Sequence, residues 1–549
     1  MLEADFPGLT DAVARGSYAL WLGSGISLDR VVGVPAVIGR VIEYLRSRRD
    51  ATDPACRYTV ALTQVLSNLS APEREKLHLD IPLDDWPETD RRAITSRLAG
   101  FYAEVLETPL EGEVEADFLL WTAVDVPGSF TGEEPDVEHL CVVMLTLEGA
   151  FRDITIANWD YLIESAERML TGAVGAKIDV CIRATDFQNA GGRAKLLKYH
   201  GCAVRAVNNV PVYRPLLIAR TPQITQYGVN AAYTVMRDHL TVLVQQRRTL
   251  MIGFSAQDTD VQQIFVAGAH GSGWQWDNTP TAFLFAEDQL SAGQRGILAS
   301  AYGDQYAPHR AAIEEAARVR AYAKPLLLAL LLNVLESKTV ALADLGLPNA
   351  WNVAERNMVM VGLRHIRDAA ALEAEPERLD FIRSLIAAMM LGLDLYHHGK
   401  SDTGRYIPVS SEPIQQIADV PEPTGLRQAA VALALLGRGA VDGDWTIASG
   451  TASGTPIDLQ QDTRRTRIFV AANDDVAGKL IQAGHIDPDS DDTVLLLSAS
   501  PKARLSRSPS GPMGRTGKIG LREVCMSSLI ETAADAAELI GEFKRSASL

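Results

Sequence analysis

The sequence predicts an α/β protein built on a doubly wound, mainly parallel sheet, on three observations. An apolar run, Tyr18-Ala19-Leu20-Trp21-Leu22, ends in Gly23-Ser24-Gly25-Ile26-Ser27, and a helix-period pattern follows from about Pro35 to Arg49. That order of strand, glycine turn and helix opens a nucleotide-binding sheet. Short apolar runs then alternate with helix-period stretches as far as residue 285, which calls for parallel strands joined by crossover helices. The strand-then-glycine theme returns at 249–252 (TLMI), followed by Gly253-Phe254-Ser255. The N-terminal unit reads as Rossmann-like.

Taken in order, residues 52–110 switch to helix-period patterning and read as a helical insertion. Sheet pattern resumes at 117–124 (DFLLWTAV) and in the apolar segment 141–147, then at 153–157, 177–182, 195–199 and 281–285. Helices are expected from Tyr161 and over 229–246. From about 310 to 396 the pattern is almost wholly helical, and a polar, proline-bearing stretch spans 399–426. A further helix at 426–436 precedes strands at 466–472 and 493–497 and a last helix at 528–544. The expected division is a Rossmann-like α/β unit at 1–309, a mostly helical region at 310–440 and a small C-terminal α/β module at 441–549.

With 549 residues, 47% of them apolar and 22% charged, the chain can bury several cores. The formal charge of −17 argues against broad nucleic-acid binding by the whole surface. Five scattered cysteines (Cys56, Cys141, Cys181, Cys202, Cys525) form no C-x-x-C pair, a pattern of reduced, cytoplasmic proteins without a zinc ribbon. The acidic N-terminus lacks an apolar signal core, and the greasiest run, 326–335, is too short to span a bilayer and reads as a buried helix, so no membrane is expected. Between Ala499 and Arg522 lie Lys502, Arg504, Arg507, Arg515, Lys518 and Arg522 with no acidic residue. This is either a solvated loop or a phosphate-binding surface for nucleic acid, a nucleotide signal or an acidic partner.

The candidate chemistry sits at strand ends. Gly23 and Gly25 would let backbone approach a diphosphate. Asn158 and Asp160 directly follow the strand 153–157, where side chains point into a ligand crevice, although Asp160 also suits a helix cap. His200 closes another strand before Gly201, where imidazole can meet a substrate hydroxyl near neutral pH. Gly253, Ser255, Asp258 and Asp260 repeat the theme, as a turn and helix cap or as a site for the adenosine ribose.

In this order the motifs resemble the sirtuin superfamily over about residues 10–305. Gly23–Ser27 is similar to its Gly-Ala-Gly-Ile-Ser loop, and Gly33-Val34-Pro35 to its Gly-Ile-Pro. Thr155–Asp160 resembles Thr-x-Asn-x-Asp, Lys198–Gly201 resembles Lys-x-His-Gly, and Gly253–Ser255 resembles Gly-x-Ser. The resemblance implies that Gly23, Ser24, Gly25, Ile26 and Ser27 bind the diphosphate and ribose of NAD. It implies that Asn158 positions the attacked carbon and a water, that Asp160 contacts the carboxamide, that His200 acts on a ribose hydroxyl, and that Gly253 and Ser255 line the adenosine side.

Two departures refine the expectation. The zinc cysteines of protein-deacylating sirtuins are missing, and Ala36-Val37-Ile38 stand where those enzymes carry Asp-Phe-Arg. Both resemble the zinc-free, sirtuin-like effectors of bacterial antiphage systems. The resemblance therefore implies an NAD glycohydrolase needing no metal, a homo-oligomer, whose relatives act with partners such as a ring ATPase or a short Argonaute. A zinc-free deacylase or ADP-ribosyltransferase, and a non-catalytic NAD or ADP-ribose sensor, are the alternatives.

Overall fold

The computed structural model describes residues 6, 8–132, 134–269, 273–374, 377–401, 404–418, 425–450, 454–498 and 520–549. Six strands form the first sheet: β1 (Tyr18–Leu22), β2 (Asp153–Ile156), β3 (Ile178–Cys181), β4 (Ala194–Lys198), β5 (Arg248–Ile252) and β6 (Phe283–Ala286). Their order is β3-β4-β2-β1-β5-β6, and every pairing is parallel. The chain is thus an α/β protein with a Rossmann-like sheet. At the centre Leu22 pairs with Ile156 on one side and Ile252 on the other, so the chain leaves β1, β2 and β5 at one level.

All five residues of β1 are buried, because the sheet is covered on both faces. Tyr18, Leu20 and Leu22 pack with the helices Val137–Leu147 and Ala323–Gly346. Ala19 and Trp21 face the helices Thr234–Gln246, Thr259–Ala269 and Ala292–Tyr302. The period of two expected for a strand appears as a division between two cores.

Two expected strands are helical. Residues 141–147 belong to the helix Val137–Leu147, all of whose residues are buried. A helix enclosed on every side shows no polar stripe, so its apolar run is indistinguishable from a buried strand. Residues 117–124 form a π-helical turn, Leu119–Ala123, leading into the short helix Val126–Phe130. These residues pack into the insertion core with the helix Val34–Arg48. The insertion itself is helical, with helices at Arg57–Leu66, Ala71–Arg74, Glu88–Ala99 and Tyr102–Glu107.

The apolar run at 326–335 lies inside the longer helix Ala323–Gly346. That helix is long and apolar enough to cross a membrane by length and composition, yet its leucines from Leu326 to Leu331 are buried in the core below β1. Its fully buried Lys338 lies 3.2 Å from the equally buried Glu148.

The second sheet comprises β7 (Thr446–Ser449), β8 (Ile457–Gln461), β9 (Arg464–Ala471), β10 (Thr493–Leu497) and β11 (Arg522–Cys525). β7, β8 and β9 are antiparallel, whereas β9, β10 and β11 run parallel. β7 and β8 had no clear signature in the sequence; β7 is only four residues long and largely exposed. The expected last helix is two, Met526–Thr532 and Ala536–Ala547. This sheet shares one core with the helices Val353–Glu373 and Leu426–Asp442. Residues 499–519 of the basic segment lie outside the described residues. Arg522 does not join a surface patch: its guanidinium is buried and donates to the carbonyls of Ala547 and Ser548 at 2.8 and 3.0 Å.

Candidate active site

A cavity of about 420 Å3 opens beyond the carboxyl ends of β1, β2, β4 and β5. This is where parallel α/β sheets take their ligands, and its size is that of a small-molecule site. Gly23 and Ser24 reach it from β1, Asn158 and Asp160 from β2, His200 from β4, and Gly253, Ser255 and Asp258 from β5. The opposite wall comes from Val34 and Val37 of the helix Val34–Arg48 and from Ser96, Gly100 and Tyr102 of the insertion. The insertion therefore builds part of the cavity. Val37 lines this wall, as does Phe130, packed edge-on to Trp159 at 5.3 Å.

Gly25, Ile26 and Ser27 do not line the cavity. The Gly25 amide donates to the Gly253 carbonyl at 3.0 Å, and those of Ile26 and Ser27 donate to Gly23 and Ser24. The glycines bring two loops together: a Cβ on Gly25 would sit 2.6 Å from the Gly253 Cα, and one on Gly23 2.2 Å from the Gly253 carbonyl. Gly253 also holds a φ of +60°, a left-handed conformation that suits glycine.

Ser27, fully buried behind the wall, is a hub. Its Oγ lies 3.1 Å from His139 Nε2 and accepts from Asn158 Nδ2 at 3.1 Å. Asn158 Oδ1 is buried with no hydrogen-bond partner. Asp160 stands just ahead of the helix Leu162–Thr171: Oδ1 accepts from the Leu162 amide at 3.2 Å, while Oδ2 is buried and unpartnered. Asn158 Oδ1 and Asp160 Oδ2 are thus two closed-off acceptors without a protein partner, on side chains that line the cavity.

His200 Nε2 lies 2.7 Å from Asp260 Oδ2, and both side chains are buried. Burial alone would depress the imidazole pKa, but the Asp260 carboxylate, aided by Asp258, raises it. Asp258 is raised by burial in its turn and accepts from Tyr102 Oη at 2.8 Å. Ligand atoms of His200, Asp258 and Asp260 all fall within 4.8 Å of one another, among the described residues the one grouping that could hold a metal ion. In this structure those groups bond to each other and to Tyr102.

Lys198, of the Lys-x-His-Gly segment, works beneath the site. Its ammonium donates to the Asp160 carbonyl and to Glu164 Oε1, the latter at 3.0 Å, with both side chains 1% exposed. Lys324 supports the wall from the helical region, reaching Asp29 at 2.5 Å and Asp136 at 3.1 Å.

Sequence reasoning brought Asn158, Asp160, His200, Gly253 and Ser255 to one place and missed His139, Tyr102 and the pairing of Asp260 with His200. The signal for His139 was the Asp136-x-x-His139 spacing ahead of an apolar run, which forms a capping box in the structure. No family model matches the chain, and no curated protein matches it in sequence.

Proposed function

We propose that the chain hydrolyses NAD at the nicotinamide–ribose bond, releasing nicotinamide and ADP-ribose. The observation that carries the reading is the convergence of Asn158, Asp160 and His200 with two glycine turns in one cavity at the carboxyl ends of parallel strands.

The chemistry suits these groups. Nicotinamide in NAD is cationic and leaves with the electron pair of the C–N bond, so no strong general acid is needed. The ribosyl carbon becomes oxocarbenium-like, as in other glycoside cleavages. Carboxylates around the cavity favour that positive centre. Water adds to the carbon, and its proton passes to a base or to solvent, with neutral His200 able to accept it or to polarise a ribose hydroxyl. Asn158 contributes by positioning. We further propose that such an activity serves NAD depletion in antiphage defence, under the control of a trigger or partner.

The test is to incubate the purified chain with NAD, with and without an acylated peptide, and to resolve the products. Nicotinamide and ADP-ribose in equal amounts, independent of peptide, support hydrolysis. An acyl-ADP-ribose that appears only with peptide would replace this reading with deacylation. Stoichiometric binding of NAD without turnover, in the presence of cell extract from infected bacteria, would replace it with a sensor.

A further inference from the structure

We propose that His139 is a positioning residue for this reaction, fixing the carboxamide of Asn158 through Ser27. The inference deepens the NAD-cleaving reading and rests on it.

Three hydrogen bonds carry it. The Asp136 amide donates to His139 Nδ1 at 3.1 Å, so that nitrogen holds a lone pair and the ring proton sits on Nε2. Nε2 lies 3.1 Å from Ser27 Oγ and donates to it. Asn158 Nδ2 donates to the same oxygen at 3.1 Å. The amide nitrogen is thereby held against the wall, and Oδ1, unpartnered, is turned away from Ser27.

The imidazole acts as a rigid strut from backbone to Ser27. His139 and Ser27 have no exposed surface, and Asn158 has only 8%, so the orientation is set by protein groups. The strut works only when neutral. Protonation would put a second N–H on Nδ1, facing the Asp136 amide. Burial pushes the His139 pKa down to about 4, with Asp160 and Asp136 opposing that shift and Arg30 and Lys324 adding to it. Those four are the charged groups whose field reaches the ring, and Ser27 Oγ and the Asp136 amide are its hydrogen-bond partners. A buried histidine of purely structural use would need its bonds only for stability, whereas here the far end of the strut is a cavity-lining side chain.

The experiment compares H139L, H139Q, S27A and the H139L/S27A double variant in the full chain, each with a melting curve. H139L keeps bulk and loses the donor, while H139Q keeps an amide N–H that can reach Ser27. The expected result is a fall in kcat for NAD cleavage of about 10-fold or more in H139L with KM within about 3-fold. H139Q should recover most of that loss, and the double variant should be no slower than S27A, because the two residues act in series. Wild-type kcat in H139L, H139Q as slow as H139L at an equal melting temperature, or multiplying losses in the double variant would overturn the proposal. A readout independent of turnover is the ring 15N spectrum of histidine-labelled protein. His139 should stay neutral with its proton on Nε2 from pH 5.5 to 9, and a proton on Nδ1 or titration near 6.5 would overturn the strut even if NAD were not the substrate. Absence of NAD cleavage by the wild type together with the expected spectrum would overturn the functional reading and leave the strut standing.

Discussion

Asp260 Oδ2 and His200 Nε2 are 2.7 Å apart with both side chains closed off from solvent. This contact leaves Nδ1 as the ring nitrogen available to a ligand. It also makes the charge on His200 a property of the pair. Because Asp260 outweighs burial and raises the imidazole pKa, the neutral ring needed as a base appears only above that raised value. In D260N the upward influence is gone, so the acidic limb of the kcat/KM profile should move to lower pH. An unmoved limb, measured by initial rates of nicotinamide release, would separate His200 from the proton transfer.

The same pair makes a stability prediction of definite sign. A raised folded-state pKa stabilises the fold below the unfolded imidazole value of about 6.5, and that contribution is lost as pH rises through the folded value. The melting temperature of wild type should therefore exceed that of D260N by more at pH 6 than at pH 9. Melts at the two pH values check this.

Tyr102 ties the insertion to the loop after β5 through its 2.8 Å bond to Asp258. Y102F keeps the ring and strands a largely buried carboxylate oxygen, a change worth about 1–3 kcal/mol. The cavity wall should loosen, raising KM for NAD more than it lowers kcat. Steady-state kinetics with urea unfolding would show both effects, and unchanged KM would mean that the insertion does not contact the substrate.

The glycine loops should be intolerant for a steric reason unrelated to ligand. G25A would drive a Cβ to 2.6 Å from the Gly253 Cα, and such overpacking costs about 1–3 kcal/mol. Its melting temperature should fall without NAD present. A variant of full stability but lost NAD binding would restore the diphosphate role to this residue.

Much of the site was legible in the sequence because each strand end carries its own local signature. Gly23, Asn158, His200 and Gly253 all follow apolar runs directly, and a parallel sheet must bring such ends together. The pairings that organise them were not legible. His139 reaches Ser27 across 112 positions and His200 reaches Asp260 across 60, and no local pattern encodes which buried polar groups meet. The misread strand at 141–147 hid His139 as well, since an all-buried helix shows no helical stripe. Gly25 was read for ligand approach, whereas its immediate constraint is the neighbouring loop.

The central claim is that Asn158 and His200 cleave NAD in this cavity. The most direct measurement is nicotinamide release from NAD by wild type, N158A and H200A at matched concentration and confirmed melting temperature. The account predicts turnover by the wild type and a loss of about 100-fold or more in each variant, in the range for removing a positioning or acid–base group. Wild-type rates in both variants would contradict it.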